Sequence, residues 1–140
     1  MTTSSDPGPV AVLLNPTAGR GRYRDALPGV LEQLRSTGRE VTVLPARSVD
    51  EALASCRGAV ASGAGALVAA GGDGTIHLGL QAVAGTGVPF GAVPAGTGND
   101  FVIDLGLPGE PLAAAAAIAR ALRADTIRKV DLARMTDAEG

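Results

Sequence analysis

The sequence predicts a three-layer, doubly wound α/β domain built on a mostly parallel sheet. Short apolar runs alternate along the chain with amphipathic segments, and connections of about ten to fifteen residues are typical of βαβ units. Three of these runs end directly in glycine-rich segments. Aromatic residues make up only 2% of the chain, so alanine, valine, leucine and isoleucine must fill the interior. Such small side chains let helices lie close to a sheet.

The strands are predicted from continuous apolar runs. A run without polar alternation is typical of a parallel strand that is buried on both faces. A fifth segment, near the C-terminus, alternates enough to be a final strand. The predicted strands are Val10–Leu14, Val41–Leu44, Ala66–Ala70, Pro89–Val93 and Thr126–Met135.

The helices are predicted from apolar periodicity and from signals at their ends. Asp25 is a good N-cap for the first helix, with Pro28 in its first turn and Gly38 as its stop. Ser48 and Glu51 form a capping box that opens the second helix. The remaining predictions are a third helix over about Thr75–Ala84, a short turn over 101–105, and a last helix from Pro111 to near Leu122.

Composition and charge limit the class of protein. The net charge of −2 and the pI of 5.3 argue against a nucleic-acid binder, which needs a basic surface. The single cysteine, Cys56, allows no internal disulfide, and its place on an apolar helix stripe predicts a buried, inert thiol. No apolar run approaches the ~18 residues of a membrane span, and the N-terminus carries no signal core. We therefore expect a soluble cytoplasmic protein.

The glycine-rich segments after the first, third and fourth strands predict a ligand site. The carboxyl ends of parallel strands lie at one edge of the sheet, and ligands bind in the crevice outside that edge. A P-loop is excluded because the only lysine, Lys129, lies near the C-terminus. The Rossmann pattern of three spaced glycines is also missing after the first strand.

The segment Gly71–Thr75 has the features of a phosphate site. Its glycines leave backbone N–H groups accessible, a helix N-terminus follows, and Thr75 adds a hydroxyl. Asp73 would repel a bare phosphate. It is explained either by contact with a divalent cation or the reacting groups, or by hydrogen bonds to backbone amides that hold the loop. His77, the only histidine, follows directly and is either a nucleotide contact or a surface residue.

The other two segments offer related chemistry. After the first strand come Asn15 at the strand end and the arginines 20, 22 and 24, which suit phosphates or anionic lipid headgroups but also a solvated loop. After the fourth strand, Gly96–Asp100 offers exposed backbone, a hydroxyl and an acid. The alternative is a tight turn in which Asn99 or Asp100 caps a short helix.

At these three segments the sequence resembles the catalytic domain of diacylglycerol kinase-type lipid kinases, the family that includes sphingosine and ceramide kinases. Asn15-Pro16-x-x-Gly19 matches the family's N-P-x-[SA]-G, and Gly71–Thr75 matches its G-G-D-G-T. Pro94–Phe101 matches its P-x-G-T-x-N-D-[FL]. The resemblance covers residues 10–135 and implies a fold like that of NAD kinases and diacylglycerol kinases.

The resemblance also implies the site residues and the reaction. ATP would transfer its γ-phosphate to a lipid hydroxyl with Mg²⁺, and the enzyme would touch the inner membrane surface peripherally and transiently. Asp73 and Asp100 are implied as catalytic residues, with Asp73 as the candidate metal contact. The implied nucleotide-binding residues are Asn15, Gly71, Gly72, Asp73, Gly74, Thr75, Ile76, His77, Gly96 and Thr97.

The sequence departs from the family pattern at several points, among them the segment Leu44-Pro45-Ala46, which lacks a threonine that the family often has after the second strand. The family usually continues its G-G-D-G-T with [IL]-N-E, where this chain has Ile76-His77-Leu78 and so lacks that carboxylate. Family members also continue into a β-rich domain that supplies the lipid cleft, a metal site and the general base. We therefore expect a disordered lead over 1–9, a nucleotide-binding domain over 10–125, and a strand over 126–140 that leads into an absent β-rich domain.

Two other functions remain open at this point. NAD kinase shares the G-G-D-G-T motif and a related fold, but the segment Gly96–Asp100 does not resemble that family's pattern. A catalytically incomplete nucleotide-binding module is the other alternative, because the second domain is missing. The resemblance implies ATP and a diacylglycerol-like lipid alcohol as partners, and no nucleic acid.

Overall fold

The computed structural model of the chain describes residues 8–15, 21–94 and 111–124. The predicted turn over 101–105, the predicted strand Thr126–Met135 and most of the N-terminal lead lie outside the described residues. The same is true of Gly96, Thr97 and Asp100, whose roles stay predictions.

Four strands and four long helices alternate along the described chain, as the sequence predicts. The strands agree with their predicted bounds to within one residue. The elements are β1 (Val10–Leu14), α1 (Gly21–Arg35), β2 (Val41–Leu44), α2 (Val49–Ala61), β3 (Ala66–Gly71), α3 (Asp73–Val83), β4 (Phe90–Pro94) and α4 (Pro111–Ala124).

The four strands form one parallel sheet in the order β2-β1-β3-β4. The chain therefore leaves β1 in one direction to form β2 and returns past β1 to form β3 on its other side. This reversal makes the carboxyl ends of β1 and β3 the switch point of the sheet, where open α/β domains form their ligand crevice.

Helices cover both faces of the sheet, which confirms the three-layer architecture. On one face α1 packs against α4, and on the other α2 packs against α3. Side chains alternate between the two layers, so that along β1 Val10 and Val12 face α1 and α4, while Ala11 and Leu13 face α2 and α3. Alanine supplies many of the buried positions, as the composition predicts.

The predicted start of α1 at Asp25 is wrong. The helix begins at Gly21, which places Pro28 inside it. Proline removes one helical hydrogen bond and was therefore expected only in a first turn. Packing outweighs that cost: Leu27, Val30 and Leu34 are buried against the sheet. The helix ends at Arg35, and Gly38, the predicted stop, follows three residues later with a φ of 82°.

The helix α2 begins with the predicted cap. The Oγ atom of Ser48 accepts a hydrogen bond of 3.0 Å from the N–H of Glu51. The return bond is shifted by one residue, because the Glu51 carboxylate accepts from the N–H of Arg47 at 2.6 Å instead of from Ser48. The guanidinium of Arg47 also holds this carboxylate at 2.9 Å and lowers the pKa of Glu51 to about 2.

We expect Ser48→Ala to lower the free energy of unfolding by about 1 kcal/mol, because the N–H of Glu51 loses its side-chain acceptor. Denaturant unfolding of the two proteins measures this difference. Ser62→Ala is the matched control, since Ser62 is exposed at the other end of the same helix. It should change stability by less than about 0.5 kcal/mol. Equal losses in both variants would contradict the capping role.

The remaining sequence predictions for this part of the chain concern Cys56 and membrane spans. Cys56 lies on the buried face of α2 and is fully buried. Burial raises the pKa of its thiol to about 11, as expected for an inert side chain. None of the described helices combines the length and the apolar character that crossing a bilayer requires.

Candidate functional site

The junction between β3 and α3 is shorter than the sequence predicts. The sequence predicts a loop over Gly71–Thr75, with the helix beginning at about Thr75. Instead Gly71 ends β3 and Asp73 already begins α3, so only Gly72 separates strand from helix. The start at Thr75 is therefore wrong, because a single extended residue at Gly72 (φ −82°, ψ −169°) suffices for the turn.

The first turn of α3 is not capped by a side chain. Gly72 is the N-cap residue and has no side chain to accept a hydrogen bond. The first helical bond runs from the N–H of Ile76 to the carbonyl of Gly72. The N–H groups that precede Ile76 in this helix have no carbonyl within the helix to receive them. They lie beside the switch point, where they can donate to an anion.

Gly71 is required by the packing of the fold. A Cβ atom at this position would lie 2.7 Å from Oγ1 and 2.8 Å from Cβ of Thr75. Because Thr75 lies one helical turn further on, its side chain rests directly on the backbone of Gly71. From the sequence, all the glycines of the motif are expected to leave backbone N–H groups accessible to a ligand. In the structure, Gly71 is explained by its packing against Thr75.

Gly72 and Gly74 are not required by packing against any described residue. A Cβ atom added at either position would meet no protein atom within 4 Å among the described residues, and neither residue has a positive φ. Glycine inside a helix costs about 0.5–1 kcal/mol relative to alanine. No packing contact among the described residues requires these two glycines, Gly74 lowers the stability of the helix, and an approach by a group from outside the chain would explain them.

Asn15 and Thr75 meet across the switch point. The N–H of Asn15 donates to the carbonyl of Ala70 at 3.0 Å, which continues the ladder between β1 and β3. The Nδ2 atom of Asn15 lies 3.4 Å from Oγ1 of Thr75 and donates to it. Both side chains are half-buried. The structure thus brings together two predicted site residues that are sixty positions apart in the sequence.

The other predicted residues of this segment separate into two groups. Asp73 and His77 are exposed and lie one turn apart on α3, with Asp73 in the first turn, where the helix dipole favours a negative charge. Ile76 is fully buried in the core between α3 and the sheet. Its side chain therefore supports the helix, and a nucleotide contact by Ile76 stays a prediction.

Two of the three arginines that follow β1 lie within the described residues. Arg22 and Arg24 lie in α1, which begins at Gly21, whereas Arg20 lies outside the described residues. Within the described ranges, no three His, Cys, Asp or Glu side chains lie close enough to hold a metal ion. Asp73 is thus not part of a preformed carboxylate cluster in that part of the chain.

The parallel sheet is open and is flanked by helices on both faces, and a glycine junction joins it to α3 at the switch point. This architecture defines an α/β domain of the doubly wound class. The chain belongs to the diacylglycerol kinase catalytic domain family, whose sequence model matches residues 9–135.

Curated relatives and solved structures agree with this family. A diacylglycerol kinase from Mycobacterium tuberculosis is 38% identical over 133 residues, which cover 95% of this chain and 42% of the relative. A diacylglycerol kinase from Bacillus subtilis is 32% identical over 107 residues, covering 75% of this chain and 35% of the relative. A crystal structure of a diacylglycerol kinase from Bacillus anthracis superposes with a TM-score of 0.69 at 27% identity, over 80% of this chain and 39% of that one.

The chain therefore spans less than half the length of the relatives that it matches. It corresponds to their N-terminal half.

Proposed function

We propose that this chain binds ATP at the carboxyl edge of its sheet, as the nucleotide-binding half of a lipid kinase. The observation that carries the proposal is the pair Gly72 and Gly74, which no contact among the described residues and no positive φ requires. They begin an uncapped helix beside the switch point, where backbone N–H groups can donate to phosphate oxygens. The names of the curated relatives support a kinase acting on diacylglycerol.

Asp73 fits a role with Mg²⁺. Magnesium is usually held by one or two carboxylates together with the phosphates of the substrate, and it keeps several waters. An exposed carboxylate in the first turn of α3 suits that arrangement, since the described residues offer no multi-carboxylate cage. When bound, the ion would neutralise the negative charge of the phosphate oxygens.

The chain's own groups would mainly position and neutralise the phosphates. The first-turn N–H groups of α3 donate to phosphate oxygens, and the Thr75 hydroxyl adds a donor at the same place. Most of the catalysis of phosphoryl transfer comes from such positioning and charge stabilisation. We propose that Gly96 and Thr97 complete the nucleotide contacts and that Asp100 supports the reaction.

The acceptor is proposed to be a lipid alcohol such as diacylglycerol. The general base and the lipid cleft are expected in the portion of the relatives that this chain does not span. Because the substrate lies in a bilayer, we propose a cytoplasmic protein in transient, peripheral contact with the inner membrane surface.

Calorimetric titration of ATP with Mg²⁺ into the chain tests the nucleotide half of this proposal, and we expect weak but saturable binding. Phosphate transfer to diacylglycerol vesicles tests the other half. We expect turnover only when the chain is extended by the remaining portion of its relatives. Robust turnover by this chain alone would contradict the division into two halves. Phosphorylation of NAD but of no lipid by the extended protein would contradict the proposed substrate class.

A further inference from the structure

The contact between Asn15 and Thr75 has a direction, and that direction matters for an anionic ligand. The Nδ2 atom of an asparagine can only donate hydrogen bonds, whereas a threonine hydroxyl has one proton and two acceptor lone pairs. Here Nδ2 of Asn15 faces Oγ1 of Thr75 at 3.4 Å, slightly longer than the usual range of about 2.7–3.2 Å, so this is a weak hydrogen bond. Thr75 therefore uses a lone pair in this bond and keeps its proton for another acceptor.

The surroundings of Thr75 restrict its side chain further. The backbone of Gly71 lies directly beneath it, so closely that a methyl group there would overlap with Oγ1. The Nδ2 atom of Asn15 lies beside Oγ1, and the bond from the N–H of Asn15 to the carbonyl of Ala70 fixes the backbone that carries this side chain. Within the described part of the chain no acceptor receives the hydroxyl proton of Thr75. The hydroxyl is therefore available as a hydrogen-bond donor at the switch point.

We propose that Asn15 is a positioning residue, which orients the Thr75 hydroxyl so that it donates to a phosphate oxygen of the nucleotide. This inference rests on the proposed function of the site. It assigns Asn15 an action through Thr75 in place of a direct contact with ATP. A phosphate oxygen is an acceptor only, so it needs the donor orientation that Asn15 enforces.

A double-mutant cycle on ATP binding separates the two roles. Thr75→Val keeps the branched shape that packs on Gly71 but removes the hydroxyl, and we expect ATP affinity to fall about 10- to 100-fold. Asn15→Ala should weaken binding about 5- to 10-fold in the wild-type background. In the Thr75→Val background the same change should have less than about a twofold effect, because the hydroxyl that it orients is gone.

A second measurement needs no nucleotide. Three-bond NMR couplings to the Thr75 methyl carbon report the χ1 rotamer of that side chain. We expect a single rotamer in the wild-type chain and averaging between rotamers in Asn15→Ala. Thermal unfolding of each variant shows that it is folded.

A second variant keeps the test available should Asn15→Ala not fold. Asn15→Asp keeps the shape of the side chain and reverses the bond, since a carboxylate accepts the hydroxyl proton. It should retain one Thr75 rotamer and yet lose ATP affinity, by a larger factor in the wild-type background than in the Thr75→Val background.

The outcomes are distinguishable. Equal losses from Asn15→Ala with and without the Thr75 hydroxyl would overturn the positioning role and assign Asn15 a direct contact with ATP, while the proposed function stands. An unchanged Thr75 rotamer in Asn15→Ala would also overturn it. If the wild-type chain bound no ATP although Thr75 kept one rotamer, the proposed function would fail, and the phosphate role of Thr75 would fail with it.

Discussion

We expect Asp73→Asn to reduce phosphate transfer by at least about 100-fold in a protein that joins this chain to the remaining portion of its relatives. The substitution keeps the size of the side chain and removes its charge. If the carboxylate contacts the metal ion or the reacting groups, its loss removes a contribution that is typically about 10²–10⁴-fold in rate. Initial rates on diacylglycerol vesicles, measured over a range of Mg²⁺ concentrations, test this expectation.

A structural role for Asp73 predicts a different result. As an exposed acid in the first turn of α3, Asp73 also interacts favourably with the helix dipole, which contributes about 0.3–1 kcal/mol. Asp50 is the matched control, because it is an exposed acid in the first turn of α2. Asp50→Asn should lose comparable stability and keep its activity. If both variants turned over at near-normal rates, Asp73 would be only a helix-terminal charge.

The central strands β1 and β3 could be predicted from the sequence because their burial is nearly uniform. All six residues of β3 are buried, and such a strand needs an uninterrupted apolar run. The edge strand β2 was also predicted, although Thr42 and Val43 are exposed, because its length and its β-branched residues suffice. These properties are local, so the sequence carries them.

The starts of α1 and α3 could not be predicted, because the local signals conflict with packing. Proline and glycine usually mark helix ends and loops. In this fold the buried stripe of α1 outweighs Pro28, and α3 starts at Asp73 although Gly74 follows. Ile76 and Leu80, which are both buried against the sheet, stabilise α3 despite its glycines. Tertiary contacts of this kind are not visible in a window of sequence.

The position of the candidate site, at the carboxyl edge of the sheet, could be predicted from the sequence. The contacts between its side chains could not. The sequence indicated that the segments after β1 and β3 share one edge of a parallel sheet. The contact between Asn15 and Thr75 depends on β1 lying next to β3, which follows from the direction of the crossovers. The glycines of the motif also look alike in the sequence. The structure distinguishes them by the space around each Cα atom. An added Cβ would overlap with Thr75 at Gly71, but it would meet no described residue at Gly72 or Gly74.

Because Gly74 is not required by packing, its replacement should stabilise the fold and weaken ATP binding. We expect Gly74→Ala to raise the free energy of unfolding by up to about 1 kcal/mol and to weaken ATP binding about tenfold or more. The added methyl group meets no atom of the described residues within 4 Å, so the helix gains from the better helix former. Denaturant unfolding and calorimetric titration with ATP and Mg²⁺ measure the two changes.

The loss of binding follows from the direction of the new bond. In an α-helix each Cα–Cβ bond tilts toward the N-terminus, and Gly74 lies in the first turn of α3. The methyl group therefore leans toward the start of α3, and we expect it to hinder the approach of a phosphate to the backbone N–H groups of the first turn. Gly58→Ala is the matched control, since a Cβ atom at this exposed helical position of α2 also meets nothing within 4 Å.

Gly58→Ala should gain stability as Gly74→Ala does and bind ATP like the wild type. A stabilised Gly74→Ala variant with unchanged ATP affinity would show that no ligand needs the space above Gly74, and the argument for a phosphate site at this junction would fail. Gly71→Ala completes the comparison, because its methyl group would overlap with Thr75 and must destabilise the fold before any ligand is added. Opposite effects of the same substitution at Gly71 and Gly74 on stability would therefore distinguish a glycine required by packing from one kept for binding.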